Sequence, residues 1–189
     1  MIPGHNSRPI SSGSLFEQGL ANVRSGNFPE AVLILDQLIA SAPDDARTHF
    51  LRGAVRAELY EFDAAVADLR ITIRLDPGLW AAHFELGMLH YLRSDYPGAF
   101  AAWSMLDALP TSSSYRLFAQ GLALLVAGRR EEAMPVLDLG LRHSAENPAL
   151  GTSMRKIIQG IQTGAPAAAE PAGEARHVLL NSYAELAKK

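Results

Sequence analysis

Cysteine is absent from the 189 residues, which removes disulfide frameworks, thiolate metal sites and cysteine nucleophiles and leaves the redox compartment open. Lysine is scarce: only Lys156, Lys188 and Lys189 stand among the 17 basic residues, and the arginines are scattered rather than gathered into a phosphate-binding surface. A large excess of either charge is also lacking, and a formal net charge of -3 favours neither nucleic acid nor an anionic membrane surface. No apolar run approaches the roughly 18 residues of a membrane span. The stretch from Leu122 to Ala127 stops at Gly128, Arg129 and Arg130. The opening Met1-Ile2-Pro3-Gly4-His5-Asn6-Ser7-Arg8-Pro9 has no basic segment followed by an apolar one of secretory type. The expectation is a cytoplasmic protein with no nucleic-acid partner and no membrane insertion.

What the chain does contain is periodic. Phenylalanine recurs every 34 residues at Phe16, Phe50, Phe84 and Phe118, in step with Gly19, Gly53, Gly87 and Gly121 and with Ala31, Ala65, Ala99 and Ala133. Three residue types repeating in one register imply stacked units, each too small to bury its own apolar face. With 48% hydrophobic residues, the stack has enough apolar side chain for one substantial core.

Each period reads as two helices. Ser14 can cap the first, which carries Leu15, Phe16, Gly19, Leu20 and Val23 and ends near Ser25-Gly26-Asn27. Pro29 opens the second, whose inward stripe is Ala31, Leu35 and Leu38 until Ala42-Pro43 ends it. The pattern returns with Asp44 or Asp45 as cap, Gly53, Ala65, Leu69 and Pro77; then with Gly87, Pro97, Ala99, Trp103, Leu106 and Pro110; and then with Ser112 to Ser114 as caps, Gly121, Gly128, Ala133 and Leu137. Two helices cross closely only where one offers no Cβ and the other a methyl, so glycine and alanine hold the register.

A 34-residue helix-turn-helix with glycine at the eighth position, alanine at the twentieth, Leu35, Leu69, Trp103 and Leu137 at the twenty-fourth, and Pro43 and Pro77 at the thirty-second resembles the tetratricopeptide repeat. The resemblance covers about residues 12–145 and implies an all-α, right-handed solenoid of four helical hairpins, 12–45, 46–79, 80–113 and 114–145. Residues 146–163 would add a capping helix, 1–11 an unstructured start, 164–175 an Ala/Pro/Gly linker, and 176–189 a tethered amphipathic tail helix. The sequence departs from the family at the fourth position, occupied by Leu15, His49, His83 and Leu117, and at the thirty-second of the last two units, occupied by Thr111 and Ala145. Arg52 and Arg56 replace apolar residues of the second unit, and Asp36 and Asp68 are the acids expected to pair with them.

In this family the concave face is lined by the first helix of each unit. By that resemblance the fifth position supplies Phe16, Phe50, Phe84 and Phe118, the ninth Leu20, Ala54, Met88 and Leu122, and the twelfth Val23, Ala57, Tyr91 and Leu125. Such a groove is apolar and suits an amphipathic helix or an extended apolar segment of a partner protein. Phe50, Phe84 and Met88 are expected at its centre. The Lys and Asn donors with which relatives grip a carboxylate are missing from the fifth and ninth positions, so carboxylate clamping is not expected.

Catalytic constellations are missing: His83 and His90 are seven apart with no acid at ligand spacing, and there is neither a phosphate loop nor a nucleophile elbow. No enzyme activity, cofactor or metal is expected. In the tail, Leu179, Tyr183, Leu186 and Ala187 share one helical stripe, and this segment is expected to dock on the solenoid in cis or on a neighbouring copy. The function read from the sequence is a non-catalytic scaffold or chaperone-like adaptor. The alternative is a structural homo-oligomer joined through tail and groove.

Overall fold

The computed structural model describes residues 12–163, and among these there are helices and no strands. The expected N-terminal segment, linker and tail stripe lie outside the described residues. Helices α1 (Ser12–Arg24) and α2 (Phe28–Ser41), α3 (Ala46–Glu58) and α4 (Phe62–Leu75), α5 (Trp80–Leu92) and α6 (Tyr96–Trp103), and α7 (Ser114–Val126) and α8 (Arg130–Arg142) form four successive hairpins. α9 (Pro148–Gln162) packs on α8. Each pair packs on the next, so the chain is an all-α solenoid of tetratricopeptide type with no element reaching far along the sequence for its neighbours.

Local chemistry sets the boundaries. Asp45 accepts from Arg47 N at 3.1 Å to cap α3, Asp95 from Gly98 N at 3.1 Å to cap α6, and Asn147 from Leu150 N at 3.0 Å to cap α9. The Gly98 N–H, with help from His90, holds the Asp95 carboxyl below its ordinary range. Ser113, at the start of α7, makes no such side-chain bond. The stripe expected to continue α6 to Leu106 instead tightens into a 3-10 turn at Ser104–Ala108. Three residues per turn set Trp103 and Leu106 above one another, and both are buried.

The turn inside each hairpin needs one left-handed residue. Gly26 (φ +75°) and Gly128 (φ +73°) supply it in the outer units, whereas Tyr60 (φ +63°) and Ser94 (φ +59°) do so in the inner ones. A side chain in that region costs about 1–2 kcal/mol. Ser94 is exposed, so Ser94→Gly is expected to stabilise the fold by about 0.5–1 kcal/mol in thermal unfolding. A lower melting temperature would show that the serine earns its place otherwise.

The histidines at the fourth position have a structural role that follows the prolines. His49 Nε2 lies 2.9 Å from the Pro43 carbonyl oxygen, and His83 Nε2 lies 3.1 Å from that of Pro77. A ring N–H thus satisfies the last carbonyl of the preceding unit, where proline has ended the helix. The first and fourth units carry Leu15 and Leu117 at this position, and in the fourth Thr111 stands six residues earlier where the inner units have proline.

Candidate interaction surfaces

The expected groove residues fall on two different sides of their helices. Phe50, Phe84 and Phe118 are fully buried, and Leu20, Ala54, Met88 and Leu122 are buried with them; Phe16, Tyr91 and Leu125 are partly buried. Phe50, Phe84 and Phe118 are therefore packing residues of the hairpins, and Phe16 keeps part of its surface open. Phe84 stacks on Trp103 of α6 with ring centroids 6.5 Å apart and touches Tyr115 of α7 at 5.5 Å. A Cβ on Gly140 would lie 2.6 Å from the Phe118 ring, so α8 has a glycine where that ring enters.

The physical reason is angular. A helix advances about 100° per residue, so a residue three before the glycine lies only about 60° from it, on the side turned to the partner helix. Phenylalanine and glycine thus belong to one face. Phe84→Gln is expected to cost about 3–4 kcal/mol in urea unfolding, as removal of a core aromatic does. A folded variant of near-normal stability would return the ring to the groove.

Tyr91 bridges this core and the surface, with centroids 6.0 Å from Trp103 and 6.1 Å from Tyr96. Burial, together with the neighbouring Tyr96, raises the Tyr91 phenol above its ordinary range and keeps it neutral.

The side facing away from the hairpin partner carries a different set. Glu85 lies two residues, or about 200° around α5, from Gly87, which meets Trp103 of α6. Its stripe is Ala81, Glu85, Met88 and Leu92; the matching stripe of α3 is Arg47, Leu51, Ala54 and Glu58, and that of α7 is Tyr115, Ala119, Leu122 and Val126. Ala81 and Leu51 pack into the core of the first two hairpins, and Met88 into that of the last two. Glu85 therefore lies at the seam on the inner side. Leu51, Ala54, Glu58, Ala81, Glu85 and Met88 are all buried, with Glu85 at 0% exposure. Sequence reasoning retained Ala54 and Met88 of this set and missed Glu58 and Glu85; the angle from the repeated glycine was the signal that could have found them.

On the outer side a charge network joins the first two hairpins. Asp68 is buried and accepts from Arg52 Nε at 2.9 Å, Arg52 Nη2 at 2.6 Å and Arg56 Nη1 at 2.8 Å, while Arg52 Nη1 reaches Asp36 of α2 at 2.6 Å. Burial opposes the Arg52 charge, but the bonds to Asp68 and Asp36 outweigh it and raise its pKa. The second helices also expose Leu33 and Phe100, and the 3-10 turn exposes Met105. Phe100 borders a shallow trough lined by Trp103, Leu106, Ala119 and Ala123.

Among the described residues no three His, Asp or Glu side chains are grouped to hold a metal, and no helix is long and apolar enough to cross a membrane.

Comparison with known proteins agrees with this architecture. A solved structure of the MamA protein superposes with a TM-score of 0.60 at 16% identity, covering 94% of each chain, and a second, MamA MSR-1 C2, with a TM-score of 0.54 at 20% identity, covering 89% of this chain and 95% of the other. The mouse (Mus musculus) Superkiller complex protein 3 is 28% identical over 83 residues, which is 44% of this chain but only 5% of that protein. The tetratricopeptide repeat family matches residues 16–78 and again 58–113. With more than half of its length so matched, and with glycine, alanine and proline packed where the repeat demands them, the chain belongs to the tetratricopeptide repeat family.

Proposed function

We propose that this chain is a non-catalytic scaffold that holds an apolar, helix-forming segment of a partner protein against the inner stripes of α3, α5 and α7. One observation carries the reading. The inner stripes point away from the helices they hairpin with, yet they are dominated by small and apolar side chains, Leu51, Ala54, Ala81, Met88, Ala119 and Leu122, and are shielded from water. A face of that composition is a contact surface. An apolar face accepts the apolar side of a helix at i, i+3 and i+7 spacing.

The test places a photo-crosslinking residue at Arg47, on the inner stripe, or at Leu33, on the outer side, in the chain expressed in its native cell. Crosslinks to an apolar helical segment through position 47 and none through position 33 are expected. Partner crosslinks confined to position 33 would sink the inner-face reading.

A homo-oligomer is the second reading, favoured by the exposed Phe100 and Met105 beside the outer trough. It requires a dimer in light scattering that Phe100→Glu dissociates; a monomer at all concentrations excludes it.

A further inference from the structure

We infer that a cleft at the junction of the third and fourth hairpins is a binding site for a phosphate monoester. The cleft has a volume of about 730 Å³ and is walled by the start of α5, the start of α7 and the connection from α8 to α9. That size is in the range of pockets that hold small organic molecules.

The first observation is a buried hydroxyl. Ser114 lines the cleft at 9% exposure, and its side chain has no hydrogen-bond partner among the described residues. The other buried serines and threonines, Thr48, Thr72, Ser144 and Ser153, all donate to a carboxylate or a backbone oxygen. Ser114 stands seven residues before Gly121, which meets Leu137 of α8, and is therefore only about 20° around α7 from the side turned to α8. Its hydroxyl is directed at the end of α8, where Arg142 and His143 line the cleft. A buried hydroxyl without a partner is destabilising unless something in the cleft accepts from it.

The second observation is the set of donors around that hydroxyl. Helix α7 begins here with Ser113, whose side chain makes no capping bond, and Ser112 lies beside it. The first amides of a helix and its dipole favour an anion. Arg142 and His143 enter none of the ion pairs of the described residues. Hydroxyls, helix amides and a guanidinium together suit the three terminal oxygens of a phosphate better than the two of a carboxylate. Asn147 and Tyr115 are already engaged: Asn147 Nδ2 donates to Tyr115 Oη at 2.8 Å, and Asn147 Oδ1 accepts from the Leu150 amide. Glu146 is the one carboxylate of the lining and is exposed, so it repels an anion and gives the test a handle.

The third observation is the apolar wall. Leu79, Trp80 and Pro110 line the same cleft, and Leu79 and Trp80 are only partly buried. A partly open indole gives an organic group a face to pack on. The ligand is therefore an ester of phosphate and not the bare ion.

Calorimetric titration of the full chain with adenosine monophosphate, a phosphoserine peptide, adenosine and inorganic phosphate tests this. Saturable binding of at least one monoester is expected, with adenosine silent and inorganic phosphate weaker by about tenfold. Preference for adenosine monophosphate assigns the site to a small phosphorylated molecule, and preference for the peptide to a phosphorylated side chain. Ser114→Ala and Arg142→Gln are each expected to weaken binding by about tenfold or more, and Glu146→Gln to tighten it severalfold. Without ligand, Ser114→Ala is expected to leave the melting temperature unchanged, because its hydroxyl holds no other group of the fold. Failure of both monoesters to bind at millimolar concentration, equal binding of adenosine or inorganic phosphate, or variants that bind like the unchanged chain overturn the inference. A fall of several degrees in the melting temperature of Ser114→Ala also overturns it, since the hydroxyl would then be structural.

Discussion

Gly87→Ala is expected to destabilise the protein by about 3 kcal/mol, although the same substitution at Gly19 stabilises it by up to about 1 kcal/mol. At Gly87 the added methyl would enter the indole of Trp103, with Cε2 only 2.6 Å away. That ring cannot retreat. It is buried, stacks on Phe84, lies tilted against Tyr91, and its N–H donates to the Phe84 carbonyl at 3.1 Å. At Gly19 the methyl would meet Ile34 at 3.5 Å and Leu35 at 3.6 Å, which is ordinary contact, so the helix-forming advantage of alanine prevails. Gly53 falls between, with Asp68 Cβ at 3.2 Å and the Ala65 carbonyl at 3.3 Å, and about 1 kcal/mol of loss is expected. The series is read by urea unfolding. Combining Gly87→Ala with Trp103→Leu, the residue at this position in the other three units, is expected to recover part of the loss, and equal effects at all three glycines would refute the steric ranking.

Asp68→Ala is expected to cost about 3–5 kcal/mol, because it leaves the partly buried guanidinium groups of Arg52 and Arg56 without the carboxylate that takes three of their donors. Asp36 bonds the same Arg52 but is half exposed to water, so Asp36→Ala is expected to cost less than about 1 kcal/mol. Replacing Asp68, Arg52 and Arg56 together by apolar residues of similar volume is expected to restore much of the stability, since the desolvation of all three charges is then avoided. A loss for Asp36→Ala as large as that for Asp68→Ala would show that the arginines are held from the surface side instead.

Much of this molecule was determined by the sequence alone, and for local reasons. Gly53, Gly87 and Gly121 with Ala65, Ala99 and Ala133 mark the helix crossings because a close approach leaves too little room for a Cβ. Pro43 and Pro77 end their helices because proline cannot continue one, and Asp45 caps α3 through a bond to an amide two residues away. Even the pairing of Arg52 and Arg56 with Asp36 and Asp68 was legible, since the repeat places those helices side by side. What only the tertiary structure decided was which part of each first helix faces inward. Phe16, Phe50, Phe84 and Phe118 have the spacing of a lining and the spacing of a core at once, because residues three and four apart share a side and apolar character does not say what lies opposite. The positions of Trp103, Gly140 and Tyr115, contributed by other helices, turned two of those rings, Phe84 and Phe118, into core. The same packing left Glu58 and Glu85, unremarkable charged residues in the sequence, shielded on the inner side. Burial of a charge depends on neighbours distant in the chain, and no local pattern announces it.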